Sequence, residues 1–70
     1  MSASDERLEE VRAGLAVMAE RLADLAYEEL RRAVEAGEER RPELERRLTR
    51  ARHAVERAVA MLAPGSSPQE

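Results

Sequence analysis

The chain has 70 residues, a net charge of −3, one histidine and no cysteine. The lack of cysteine excludes disulfides and thiolate metal sites, and one histidine does not support a zinc or haem site within a single chain. The longest apolar run, AGLAVMA at residues 13–19, is far shorter than the roughly 20 residues that span a bilayer. The opening MSASDERLEE lacks the basic and apolar regions of a secretory signal. We therefore expect one small cytoplasmic domain.

Composition indicates an all-α fold. Alanine, glutamate, arginine and leucine dominate, while lysine, phenylalanine, tryptophan and isoleucine are absent. This mixture, arranged with helical spacing, is typical of long helices and coiled coils.

The first helix is predicted over about residues 5–36, after an N-terminal tail at 1–4 whose Ser4 caps the helix. Six apolar residues follow the heptad spacing of coiled coils: Leu8, Val11, Leu15, Met18, Leu22 and Leu25. A second stripe lies beside the first: Ala23, Tyr27, Leu30 and Val34. Together they cover roughly half of the helix circumference, which is wider than one neighbouring helix can bury.

A turn at about residues 37–41 separates the two helices. Gly37 suits a left-handed helix end, and Pro42 suits the first turn of a new helix. Helix 2 is predicted over about 42–63, and residues 64–70 read as a disordered tail. Its apolar stripe has the same spacing: Leu44, Leu48, Ala51, Val55, Ala58 and Leu62. A short turn favours an antiparallel hairpin, in which we expect this stripe to face helix 1.

Helix 1 is longer than helix 2, so roughly ten residues at its start extend past the end of helix 2 while still carrying apolar side chains. The predicted fold is therefore an all-α antiparallel two-helix hairpin that dimerises into a four-helix bundle. The predicted oligomer interface consists of Leu8, Val11, Leu15, Val17, Met18, Leu22, Tyr27, Leu30, Val34, Val59, Met61 and Leu62.

No chemical motif indicates an enzyme, a metal site or a cofactor. The residue three before His53 is Arg50, so the Glu-x-x-His pair of di-iron bundles is absent. Glu20, Asp24 and Glu28 read as a solvated face. Glu29 occupies a heptad position, where it either sets the register of the dimer or lies at the rim.

Basic residues form a ridge on the outer face of helix 2 that is a possible partner-binding surface: Arg46, Arg50, His53 and Arg57. Binding to nucleic acid is disfavoured by the net charge and by the lack of an aromatic residue on that face. Membrane binding is disfavoured because the polar face of helix 1 is acidic. The expected function is a non-enzymatic, homodimeric interaction or regulatory module. The alternatives are an accessory subunit of a larger hetero-complex and a nucleic-acid-associated protein that uses the ridge.

Overall fold

A computed structural model of the chain describes residues 3–64, which form two packed α-helices and no strand. Helix α1 spans Ala3–Glu35 and helix α2 spans Glu43–Leu62. The predicted all-α hairpin is confirmed, and the predicted helix limits differ from these by no more than two residues. Ser4 lies inside α1 and does not cap it. The predicted tails at 1–4 and 64–70 lie outside the described residues, except for residues 3, 4 and 64.

The turn between the helices is closed by backbone hydrogen bonds around Gly37. The Glu38 N–H donates to the Ala33 carbonyl at 2.9 Å, and the Gly37 N–H donates to the Val34 carbonyl at 3.0 Å. This double pattern is a Schellman motif, which requires a left-handed residue, and Gly37 has a φ of 77°. Pro42, with φ −61° and ψ 147°, forms the extended cap of α2, and its rigid ring helps the chain to reverse.

The two glycines should respond to alanine in opposite ways. Gly37→Ala is expected to lower the free energy of unfolding by about 1 kcal/mol, because a β-carbon disfavours positive φ. Gly14 lies in the middle of α1 with no atom within 4 Å of an added β-carbon. Gly14→Ala should therefore raise that free energy by about 0.5–1 kcal/mol. Urea unfolding of both variants checks this, and equal shifts would contradict the assigned turn.

Helix α1 contacts α2 through small side chains. The buried residues within the described range are Ala19, Ala26, Ala33 and Glu45, and no large side chain is fully buried there. The three alanines recur every seventh residue of α1, so they lie along one line that faces α2. The prediction that the α2 leucine stripe faces α1 holds only in part, because Leu48, Val55 and Leu62 are partly buried whereas Leu44 is 48% exposed. The hairpin is a flat layer of 53 × 26 × 12 Å, one helix thick.

Helix α1 extends beyond α2, as predicted. It has 33 residues against 20 in α2, so the overhang is about 13 residues or roughly 20 Å. Leu8 and Val11 on this overhang are half-exposed. An open notch of about 650 Å³ lies at the step; it is lined by Asp5, Glu6, Leu8, Glu9, Met61, Leu62, Ala63 and Pro64.

Candidate protein-interaction surface

The large apolar residues of α1 lie on both sides of its contact with α2. The line of Ala19, Ala26 and Ala33 faces α2, and helical periodicity fixes the positions around it. On one flank lie Leu8, Val11, Leu15, Met18, Leu22 and Leu25. On the other flank lie Ala16, Ala23, Tyr27, Leu30 and Val34. Helix α2 leaves both flanks partly open to solvent.

Helix α2 is apolar on one flank only. Glu45, Arg52 and Val59 recur every seventh residue and so share one line, and we place this line toward α1 because Glu45 is buried and the other two are partly buried. One flank of this line carries Leu44, Leu48, Ala51, Val55, Ala58 and Leu62. The other flank carries Arg46, Thr49, His53 and Glu56. The leucine stripe of α2 therefore lies beside the contact line, with Leu48, Val55 and Leu62 partly buried and Leu44 48% exposed.

The two leucine-rich flanks share one face of the hairpin. Viewed along each helix from its N-terminus, the leucine-rich flank lies counterclockwise from the line that contacts the other helix. In an antiparallel pair, two flanks that are rotated the same way from their contact lines lie on the same side of the pair. We call this surface the leucine face: Leu8, Val11, Leu15, Met18, Leu22, Leu25, Leu44, Leu48, Ala51, Val55, Ala58 and Leu62. Among its members, Leu25 and Leu44 are each 48% exposed. It is an apolar surface that the hairpin covers only in part, since half of its twelve residues are exposed and half are partly buried.

The predicted interface residues do not form a single surface. Six lie on the leucine face: Leu8, Val11, Leu15, Met18, Leu22 and Leu62. Three lie on the opposite face, which we call the tyrosine face: Tyr27, Leu30 and Val34. Val17 and Met61 point outward at the two edges and Val59 lies on the contact line, so whether all twelve meet a partner stays a prediction.

Half of the leucine face was absent from the predicted interface: Leu25, Leu44, Leu48, Ala51, Val55 and Ala58. The heptad spacing of α2 did identify most of them as a stripe. It did not indicate direction, because a stripe that faces the other helix and a stripe that faces sideways have the same spacing.

Glu45 is a buried carboxylate at the turn end of α2, with 7% of its surface exposed. Arg41 Nε donates to Glu45 Oε1 at 2.8 Å, and Thr49 Oγ1 donates to Glu45 Oε2 at 3.0 Å. The hydrogen bond from Arg41, with that from Thr49, lowers the pKa of Glu45 although burial opposes this change. Both donors satisfy the carboxylate, so this cluster is structural. The only sequence signal for it is the placement of Arg41 and Thr49 four residues to either side.

Acid should weaken the fold through Glu45. Its pKa in the folded chain lies below the ordinary value of 4.5, so the ionised form stabilises the fold above about pH 4.5. That contribution is lost as the pH falls through the lower folded-state pKa. Thermal unfolding between pH 7 and pH 2 should show a smaller acid-induced drop for Glu45→Gln than for the natural chain. Glu20→Gln is the control, because the exposed Glu20 carboxylate forms no ion pair within residues 3–64; an equal effect of both variants would contradict the role of Glu45.

The other acidic candidates lie at the surface, and only Glu29 among them forms an ion pair within the described residues. Glu29 is partly buried, and its Oε1 accepts a bond from Arg32 at 3.2 Å. Arg32 also contacts Glu38 at 3.3 Å, which ties α1 to the turn. Glu20, Asp24 and Glu28 are exposed. Across the described part of the chain, no group of histidine and acidic side chains is arranged to hold a metal ion.

The basic ridge lies on the outer edge of α2, next to the tyrosine face, and all four of its residues are exposed. Arg46 contacts Glu43 at 2.6 Å, and His53 Nε2 lies 3.5 Å from Arg52 Nη2. Arg50 and Arg57 form no ion pair with any residue from 3 to 64. The ridge therefore presents two unpaired positive charges, without a nucleophile or a base held in position for chemistry.

Comparison with known protein families, curated proteins and solved structures found no match to this chain. Its surfaces are therefore interpreted from their own chemistry. In the range 3–64, neither helix contains a stretch long and apolar enough to cross a membrane. Packing within the hairpin covers the leucine face only in part, so this apolar surface needs a further explanation.

Proposed function

We propose that this protein is a small non-enzymatic interaction module that acts as a homodimer, with the leucine faces of two hairpins forming the core of a four-helix bundle. One observation carries the proposal. Among residues 3–64 the hairpin buries only three alanines and one glutamate, while half of the leucine face, including Leu8, Leu25 and Leu44, stays exposed.

The free energy of apolar burial supports association. A leucine or valine gains about 1.5–3 kcal/mol when it is moved from water into a core. Part of this gain is unavailable to a single hairpin, because ten large apolar side chains within residues 3–64 are between 37% and 79% exposed. Short chains commonly obtain the missing burial by oligomerising, and four-helix bundles provide a core for such stripes.

Light scattering coupled to size-exclusion chromatography tests the homodimer. Across a hundredfold dilution, the expected mass is twice the chain mass of 7.9 kDa, with a mixture of dimer and monomer only at the lowest concentration. A well-folded monomer throughout that range would refute the proposal.

An accessory subunit of a hetero-complex is the second candidate. The observation that favours it is the overhang of α1, where Leu8 is 45% and Val11 54% exposed and which another chain could cover. A monomer that forms a stable complex of defined stoichiometry with one partner, but never with itself, would support this candidate over the homodimer.

Nucleic-acid binding through the ridge is the least supported function, since the chain has a net charge of −3 and the ridge has no aromatic residue on which bases could stack. A mobility-shift assay with random duplex and single-stranded DNA at low salt tests it. A shift of the DNA band that decreases steeply with added salt would support this function.

A further inference from the structure

We infer that the two copies pair through antiparallel α1 helices, in the register that places Leu8 of one copy against Leu25 of the other. This pairing rests on the proposed function, because it presupposes a homodimer. It specifies which helices meet, in which direction and in which register. The partner that packs against the α1 stripe is a second copy of this chain.

The register follows from the apolar stripe of α1. In the antiparallel direction, Leu8 meets Leu25, Val11 meets Leu22 and Leu15 meets Met18, so all six residues find apolar partners. A shift of one heptad toward the turn would place the charged Glu29 and Arg32 against Val11 and Leu8. A shift of one heptad the other way would leave Leu22 opposite Ser4. The stripe is therefore self-complementary in one antiparallel register.

Charges beside the stripe favour the same direction. Arg7 and Glu28 are exposed and form no ion pair in the described hairpin. Both occupy the position that borders the stripe on its outer side, and in the antiparallel register each faces the other across the dimer, twice by symmetry. Parallel α1 helices would instead bring Arg7 close to Arg12 of the second copy, which repels it.

The unequal helix lengths fit this arrangement. The centre of the antiparallel stripe lies between Leu15 and Met18, and an α2 of 20 residues ends near that level on α1. Each α2 therefore covers one half of the α1 pair, and the two α2 helices lie toward opposite ends. The overhang of each α1 lies beside the second copy, which fills the space that α2 leaves open.

Disulfide trapping distinguishes the directions, because the natural chain has no cysteine. The variants are L8C and L25C, oxidised separately and as a mixture. In the antiparallel pair the two identical positions are about 25 Å apart, whereas a disulfide needs α-carbons about 4.4–6.8 Å apart. Only the mixture should form a cross-linked dimer. V17C is the matched control, because Val17 is as exposed as Leu25, at 48%, but points outward; it should not cross-link.

Each other outcome has a defined meaning. Efficient cross-linking of L8C alone or L25C alone would overturn the antiparallel direction. No cross-link in the mixture, with a dimer mass in solution, would overturn the register while leaving the homodimer intact. A monomer mass would overturn the homodimer and this pairing together.

Charge reversal gives a second test that does not depend on cysteine geometry. R7E and E28R should each weaken the antiparallel dimer by roughly fivefold at low salt, since each places two like-charge pairs at the rim. The combined R7E/E28R variant should restore the natural dissociation constant. Tighter association of R7E alone would indicate parallel helices, because it would place Glu against Arg12, and would overturn the inference.

Discussion

Leu22→Asp is expected to convert the dimer into a monomer. Leu22 lies on the leucine face close to the middle of the α1 stripe, so the substitution places two carboxylates in the apolar interface. The loss of leucine burial, about 1.5–3 kcal/mol per copy, and the cost of dehydrating a charge should together raise the dissociation constant by roughly a thousandfold or more. Sedimentation equilibrium measures this constant directly.

Val34→Asp provides the control for that variant. Val34 lies on the tyrosine face and is 66% exposed, so a carboxylate there should leave the mass of the dimer unchanged. Dissociation by Val34→Asp, together with an intact Leu22→Asp dimer, would show that the tyrosine face forms the interface.

Ala33→Leu should have the largest effect on the hairpin itself. Ala33 is 1% exposed in the contact between α1 and α2, and the close approach of the helices leaves no room for a longer side chain. Overpacking of this kind lowers the free energy of unfolding by about 1–3 kcal/mol. Thermal unfolding followed by circular dichroism checks the expected drop in midpoint.

An exposed alanine of the same helix is the matched control. Ala13→Leu adds the same atoms at an exposed position of α1, and its effect should stay within about 0.5 kcal/mol. Equal destabilisation by the two variants would show that Ala33 is not in the contact between the helices.

Local signals in the sequence are sufficient to predict the helices and the turn. Heptad spacing gives the extent of both helices, and Gly37 and Pro42 mark the ends that the structure shows. These features depend on the nearest few residues, so they can be read from the chain alone.

The face of α1 that packs against α2 is less predictable, because α1 carries two apolar patterns with the same period. The leucine stripe has the larger apolar side chains. Ala19, Ala26 and Ala33 also recur at heptad spacing, and they form the contact with α2. Spacing alone does not decide which pattern packs within the chain. That choice depends on how closely the two helices approach each other.

Glu45 illustrates a second limit. A glutamate in the first turn of a helix normally reads as a solvated charge that favours the helix dipole. Its burial depends on Arg41 and Thr49 both reaching its carboxylate. Such a contact is a property of the folded turn, so no periodic pattern reports it.

In the proposed dimer, the leucine face becomes a core only when two hairpins meet, so folding and association are linked. Thermal unfolding at two protein concentrations that differ a hundredfold measures this linkage. If unfolding is linked to dissociation, the free energy of unfolding should be about 2.7 kcal/mol per dimer higher at the higher concentration. This difference corresponds to a rise in the unfolding midpoint of about 5–10 °C. A midpoint that does not change with concentration would show that the hairpin is stable alone, and it would contradict the proposed homodimer.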